Sequence, residues 1–241
     1  WDKPEGTTMR LGLGTSISSG SIIDPWRHTS SLSFDGVNDY VSVGDGSAFD
    51  ITGHLTLAAW IKIDSFNNLQ DGIITKCDSN GIGYGLNTIQ SGSKIAFFPR
   101  NHNAQKAETG ALSTGTWYHI VGTHDTDANE NKIYVDGVLI ETTADTLAMA
   151  TNSEGLDIGR IFQDSAYTFD GNIDEVAIWD VALDAAAVAR LYEGELGPEM
   201  ITTDYANNGT FTSNNGNWAT YGSNAVIETW SSSAGATGGG L

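Results

Sequence analysis

A chain of 241 residues with thirty acidic against eleven basic side chains carries a formal net charge of −19, which repels a phosphate backbone and argues against nucleic acid or anionic lipid as a partner. Only 17% of residues are charged while 39% are hydrophobic, seven of them Trp, so composition excludes a disordered chain and predicts a sizeable core. No apolar run approaches the roughly 18 residues of a membrane span, and the single cysteine, Cys77, excludes an intramolecular disulfide.

Residues 1–30 are rich in Gly, Ser and Thr, which suits an extended arm that docks on another surface. Trp1 to Arg10 is polar, lacks the apolar stretch of a secretory leader and opens without Met. Strand and turn signals begin at Ser31 and run through Phe34-Asp35-Gly36 and Asp39-Tyr40-Val41. The alternation Leu55, Leu57, Ala59, Ile61, Ile63 predicts a strand with one face inward and Trp60 on the other. Cys77 follows Lys76 at a strand end with no histidine near it in sequence, and is expected to be an inert thiol. Ile82 to Leu86 and Lys94 to Phe98 read as a hairpin turning at Ser91-Gly92.

Further along, Trp117 to Thr123 reads as a strand on which His119 and the following His124 face opposite sides. The acidic stretch Asp125 to Asn131 superficially resembles a calcium loop, but it lacks the central Gly and terminal Glu of an EF-hand and is expected to be a hairpin connection. Asp136-Gly137 between two apolar runs is a tight-turn signal, because a type I′ turn needs positive φ at both central positions. Asp184 to Tyr192 predicts a short helix with Asp184 as N-cap and Gly194 as its stop. Pro198 marks a boundary, after which Asn207 to Phe211, Gly216 to Trp218 and Ala225 to Trp230 read as the start of a second, truncated β module. The expected domains are therefore an arm over 1–30, a sandwich over 31–196, and a linker with a partial module over 197–241.

The ordered pieces Phe34-Asp-Gly, Leu55 to Lys62, Trp117 to Thr123, Ile133-Tyr-Val-Asp-Gly137, Leu156-Asp-Ile-Gly159 and Phe169 to Trp179 resemble the laminin-G-like branch of the concanavalin A-like lectin/glucanase sandwiches. The resemblance implies an all-β, antiparallel two-sheet jelly-roll sandwich with one short C-terminal helix. It also implies a structural calcium ion where the first and last strands meet, pointing to Asp35, Asp174 and backbone oxygen near Gly44. The reading of those residues from local chemistry alone is different: Asp35 makes the turn before Gly36, and Asp174 caps or solvates a strand end.

Some members of this superfamily are glycoside hydrolases, in which a Glu-x-Asp-x-x-Glu strand supplies the carboxylate pair. No such run occurs here, and Asp174 and Glu175 are expected on opposite faces of a strand. A Gly-x-Ser-x-Gly elbow is also missing from the sequence, so no catalytic residue is assigned. The five histidines show no metal-ligand spacing. Sugar recognition needs an exposed aromatic plate beside polar groups, for which Tyr84, Phe98, Arg100 and Tyr167 are candidates, although alternating aromatics in a sandwich more often fill the core. No ligand-binding residue is therefore assigned. Asn208-Gly-Thr210 is a glycosylation sequon, meaningful in a eukaryotic secretory product.

The arm, the sandwich and the carbohydrate-binding-like tail together are similar to structural proteins of marine tailed bacteriophages. That likeness implies a non-catalytic capsid decoration or fibre protein at the virion surface. Its arm would dock on a capsid or other structural protein, and its lectin-like domain would meet a glycan or host cell surface in many copies. The alternative is an extracellular adhesin or filament subunit of a cell surface; a glycoside hydrolase ranks behind both.

Overall fold

The computed structural model describes residues 31–66, 69–101, 105–150, 152–162 and 167–194, with three short strands between 211 and 230. The arm over 1–30, the boundary at Pro198 and the sequon at Asn208 lie outside the described residues.

Twelve strands and one helix build the sandwich: β1 (Leu32–Asp35), β2 (Val41–Gly44), β3 (Leu55–Ile63), β4 (Gly72–Cys77), β5 (Gly83–Ile89), β6 (Lys94–Phe98), β7 (Ala107–Glu108), β8 (Trp117–Asp125), β9 (Glu130–Val135), β10 (Val138–Ala144), β11 (Leu156–Ile158), β12 (Asp170–Trp179) and α1 (Ala185–Tyr192). The first sheet has the order β1-β12-β3-β8-β9-β10 and the second β2-β11-β4-β5-β6-β7. Neighbours in both sheets pair antiparallel. The stretch from Ser31 to Val43 thus crosses from one sheet to the other at its Phe34-Asp-Gly turn. Strands Phe211–Ser213, Trp218–Tyr221 and Thr229–Trp230 form a small antiparallel sheet of their own.

The inward face of β3 follows the alternation in its sequence. Leu55, Leu57, Ala59, Ile61 and Ile63 are each 0% exposed and meet Ile74, Leu86, Phe97, Ile120, Ile133, Phe169 and Ile178 in the main core. Fully burying one such side chain contributes about 1.5–3 kcal/mol. Gly122 lies where the sheets approach: a Cβ there would stand 2.2 Å from the Phe97 ring. Asp136 and Gly137 take φ of 51° and 76°, the two positive values that the β9–β10 turn requires.

Outside the first sheet, α1 lays Ala187, Val188 and Leu191 over Ala58, Val121, Tyr134, Ala177 and Trp179. Asp184 caps it by accepting from the Ala187 N–H at 2.8 Å, and Gly194, with φ 67°, follows its last turn. Outside the second sheet, the β11–β12 connection packs Ile161 on Cys77 and Phe98, with Phe162 and Tyr167 beside them. Thr75 Oγ1 donates to the Arg160 carbonyl at 2.6 Å. Among the described residues, no helix is long and apolar enough to cross a membrane.

Candidate functional site

The three residues expected around calcium do not form one coordination sphere. Asp35 closes its own turn, with Oδ1 accepting from Val37 N at 2.9 Å and Asn38 N at 3.3 Å. It stands opposite Asp170 in the β1–β12 register. Asp174 lies four residues farther along β12, opposite Trp60 of β3, which at the rise of a strand is about 13 Å away. Its Oδ1 accepts from the Glu175 N–H at 2.9 Å. Gly44 ends β2 in the other sheet, opposite Leu156. The strict alternation expected across Asp174 and Glu175 is also interrupted, by a bulge between Asp174 and Ala177 in which Glu175 has φ 48°. Asp35 is thus the turn builder of the local reading, whereas Asp174 is buried at the bulge inside β12 and not at a strand end.

A convergence that spacing did not reveal joins His54, Asp125 and Asp127, whose ligand atoms lie within 4.8 Å of one another. His54 Nδ1 is 3.4 Å from Asp125 Oδ1, and His54 Nε2 is 3.8 Å from Asp127 Oδ2. Burial acts to raise the Asp125 carboxyl, but the Ala128 and Asp127 N–H groups and the charges of His54 and Lys132 outweigh it and hold the group below its ordinary value. The Asp127 side chain is 92% exposed, and Asp125 Oδ1 is engaged by the N–H groups of Asp127 and Ala128 at 2.9 and 3.1 Å. As expected, Asp125 to Asn131 is the β8–β9 hairpin connection.

A second polar group is sealed inside. Arg100 Nη1 donates to both oxygens of Asp145 at 2.9 and 3.1 Å, Asn131 Nδ2 donates to Asp145 Oδ2 at 2.9 Å, and Asn131 Oδ1 lies 2.6 Å from His124 Nδ1. All four side chains are buried. Removing one member of such a buried charge pair would strand the other's charge away from water. His119, on the opposite face of β8, lies 5.2 Å from the Trp60 ring.

The aromatics considered for sugar contact divide in favour of the core. Tyr84 is 2% exposed and donates its hydroxyl to the Phe49 carbonyl at 3.0 Å, and burial, then the charge of Asp50, pushes its phenol far above the ordinary value. Phe98 is 0% exposed under Ile161. Tyr167 sits edge-on to Phe162 at 5.4 Å, and Arg100 belongs to the sealed group. Among the described residues the most open aromatic is Tyr40, 46% exposed against 37% for Tyr192, in the turn between β1 and β2. The Arg160 guanidinium lies 3.5 Å from its ring centroid and is fixed there by Nε and Nη2, which donate to Asp157 Oδ2 at 3.0 and 2.7 Å. Burial raises the Asp157 carboxyl more than Arg160 and Ser42 lower it, so this pair is held by geometry at the cost of desolvation. Asp157 itself is 2% exposed and serves to hold the guanidinium; an open ring beside a fixed cation can stack on the C–H face of a sugar ring while the guanidinium addresses its hydroxyls.

Over residues 35–189 the sequence matches the family described as the concanavalin A-like lectin/glucanases superfamily, and the chain belongs to it. Among curated proteins nothing matches the sequence. Similar solved structures include a candidate carbohydrate binding protein from Bacteroides ovatus, at 23% identity and TM-score 0.54, covering 83% of this chain and 57% of that one. This chain thus spans little more than half of the Bacteroides protein. Domain 4 of AbnA, an extracellular GH43 arabinanase from Geobacillus stearothermophilus solved with arabinotriose, aligns at 17% identity and TM-score 0.53, covering 67% of this chain and 76% of that one. The CBM40 of a Ruminococcus gnavus sialidase, bound to α2,3 sialyllactose, aligns at 14% identity and TM-score 0.54, covering 72% of this chain and all (100%) of the other. At such identities the likeness establishes the shared sandwich.

Proposed function

We propose that this protein is a non-catalytic carbohydrate-binding domain that meets glycan at the rim formed by Tyr40 and Arg160, with the buried Asp157 holding Arg160 in place. The observation that carries the reading is the exposed Tyr40 ring with the Arg160 guanidinium fixed against it, in a chain of the concanavalin A-like lectin/glucanases superfamily. Two similar sandwiches were solved with saccharides, which supports glycan as the ligand class. The missing Glu-x-Asp-x-x-Glu strand supports binding over hydrolysis. Screening the purified protein on a glycan array tests this directly: saccharide-dependent retention is expected, and release of reducing sugar from those same glycans would overturn the non-catalytic reading.

The finer reading is a structural protein of a tailed-phage virion, with residues 1–30 docking it to a capsid or other structural protein and the sandwich displayed outward. Weak sugar contacts would then be strengthened by many copies on one particle. Its support is the arrangement of a Gly/Ser-rich arm before an acidic sandwich. Co-purification of the chain with DNA-filled particles, read by mass spectrometry and electron microscopy, is the expected outcome. Recovery from cell envelopes or filaments would instead establish the adhesin alternative, with the protein extracellular or at a cell surface. Calcium at Asp35, Gly44 and Asp174 has no part in this reading.

A further inference from the structure

Lys76 is buried on β4, and its ammonium is surrounded by more oxygen atoms than it has protons to give. Nζ lies 3.1 Å from Asp45 Oδ1, 3.2 Å from Asp50 Oδ1, 3.0 Å from the Asn152 carbonyl, 3.4 Å from Asn152 Oδ1 and 2.7 Å from the Glu154 carbonyl. An ammonium has three N–H donors, so this shell is organised around a charge and not around directed hydrogen bonds alone. Two carboxylates, two main-chain carbonyls and one amide oxygen are also the hard-oxygen set that calcium takes.

The shell is held in place by bonds that do not involve the ammonium. Asn152 Nδ2 donates to the Ile82 carbonyl at 2.7 Å, and Glu154 N donates to Asn152 Oδ1 at 2.8 Å. The turn carrying Asp50 is closed by Asp50 N to Ser47 O at 3.2 Å, and Tyr84 holds the Phe49 carbonyl. The side chain of Lys76 is 2% exposed, whereas those of Asp45 and Asp50 are 45% and 41% exposed. The ammonium therefore enters from within the fold while the two carboxylates are part-exposed to solvent.

We propose that this cage is a divalent-cation site whose cation is supplied by the chain itself: the Lys76 ammonium stands where calcium would stand, and removing it opens the cage to calcium. Asp45 and Asp50 together carry two negative charges against the one positive charge of Lys76, and a divalent ion would balance them fully. Calcium–oxygen contacts are about 2.3–2.6 Å, so the cage must contract by a few tenths of an ångström, which the half-exposed Asp45 and Asp50 can provide. The inference is independent of the glycan reading. It makes this corner of the native protein, where the β2–β3 connection, β4 and the approach to β11 meet, structurally independent of calcium.

The test compares the full-length protein with Lys76→Met, which keeps the apolar stem, and Lys76→Ala, by thermal unfolding in EDTA and in millimolar CaCl2 at matched ionic strength set with KCl. Calcium should raise the Tm of at least one variant by about 5 °C more than it raises that of the native chain, and adding Asp45→Asn with Asp50→Asn should remove the excess. A variant that unfolds in EDTA and folds on adding calcium counts the same way. Equal calcium responses of native protein and both variants would overturn the proposal, as would variants that stay unfolded with calcium present, or an excess that survives loss of both carboxylates.

Discussion

The two sheets hide their outer faces by different means. Helix α1 satisfies its own backbone, so it presents only side chains and docks on Trp179, Tyr134, Ala58 and Ala177 by apolar burial. The β11–β12 connection cannot do that. Its main chain must find partners in the sheet it covers, and it does so where Thr75 donates to the Arg160 carbonyl and where Gly159 N donates to the Ile73 carbonyl at 3.1 Å. One consequence is chemical: a segment anchored through its backbone can leave Arg160 at the rim, aimed across Tyr40. The helical cover is a stability element, whereas the irregular cover also shapes a surface.

Breaking the helical cover should have the largest effect. Trp179, 1% exposed between sheet and helix, should cost about 3–5 kcal/mol on replacement by Ala, read by urea unfolding, with glycan retention unchanged in the folded fraction. A smaller loss is expected at Gly72, where an added Cβ would stand 2.2 Å from the Arg160 carbonyl carbon. Gly72→Ala should cost about 1–3 kcal/mol and, unlike Trp179→Ala, should weaken glycan retention by shifting Arg160. Equal effects of the two on binding would contradict the contrast between the covers.

The cap of α1 gives a finer comparison, since Asp184→Ala should cost about 1 kcal/mol and leave the rim intact. Cys77 reports on the other cover. Its thiol lies under Ile161, and burial pushes it up to about 12, so alkylation at pH 8 should be undetectable in the native protein and appear in Gly72→Ala.

Smallest is the response to acid. Burial holds Asp136, Asp157, Asp170 and Asp180 above the ordinary Asp value of 3.8, with the charges of Asp64 and Asp35 adding to the effect at Asp170. A carboxyl raised in the folded state binds its proton there first, so these groups favour folding as pH falls through their folded values and add nothing more below 3.8. Glu108 and Asp125, held below their ordinary values, contribute in the opposite sense, and their share is lost as pH falls further. Relief of the −19 net charge acts with the first set. A modest rise in Tm on mild acidification from neutrality, followed by a fall in stronger acid, is the expected profile.

Much of the sandwich was legible because strand signals are local. The alternation from Leu55 to Ile63, the Asp136-Gly137 turn and the Asp184 cap each depend on neighbours in sequence, and each was found where the pattern put it. The site residues depend instead on which strand ends the topology brings together. Tyr40 meets Arg160, and Lys76 meets Asp45, Asp50 and residues 152 and 154, across separations that no periodicity encodes. The same limit explains the calcium expectation: Asp35 and Asp174 lie on paired strands, but their register offsets them. Sequence pattern identified the aromatics without deciding which were core: Tyr84 and Phe98 are buried, whereas Tyr40 is open.

Glycan retention by Tyr40→Ala, measured beside the native protein on one array with unfolding curves for both, tests the central claim most directly. Tyr40 is half exposed and outside the main core, so Tm should stay within a degree or so while retention is lost. Undiminished retention by a variant that folds as the native protein does would contradict the assignment of sugar binding to the Tyr40–Arg160 rim.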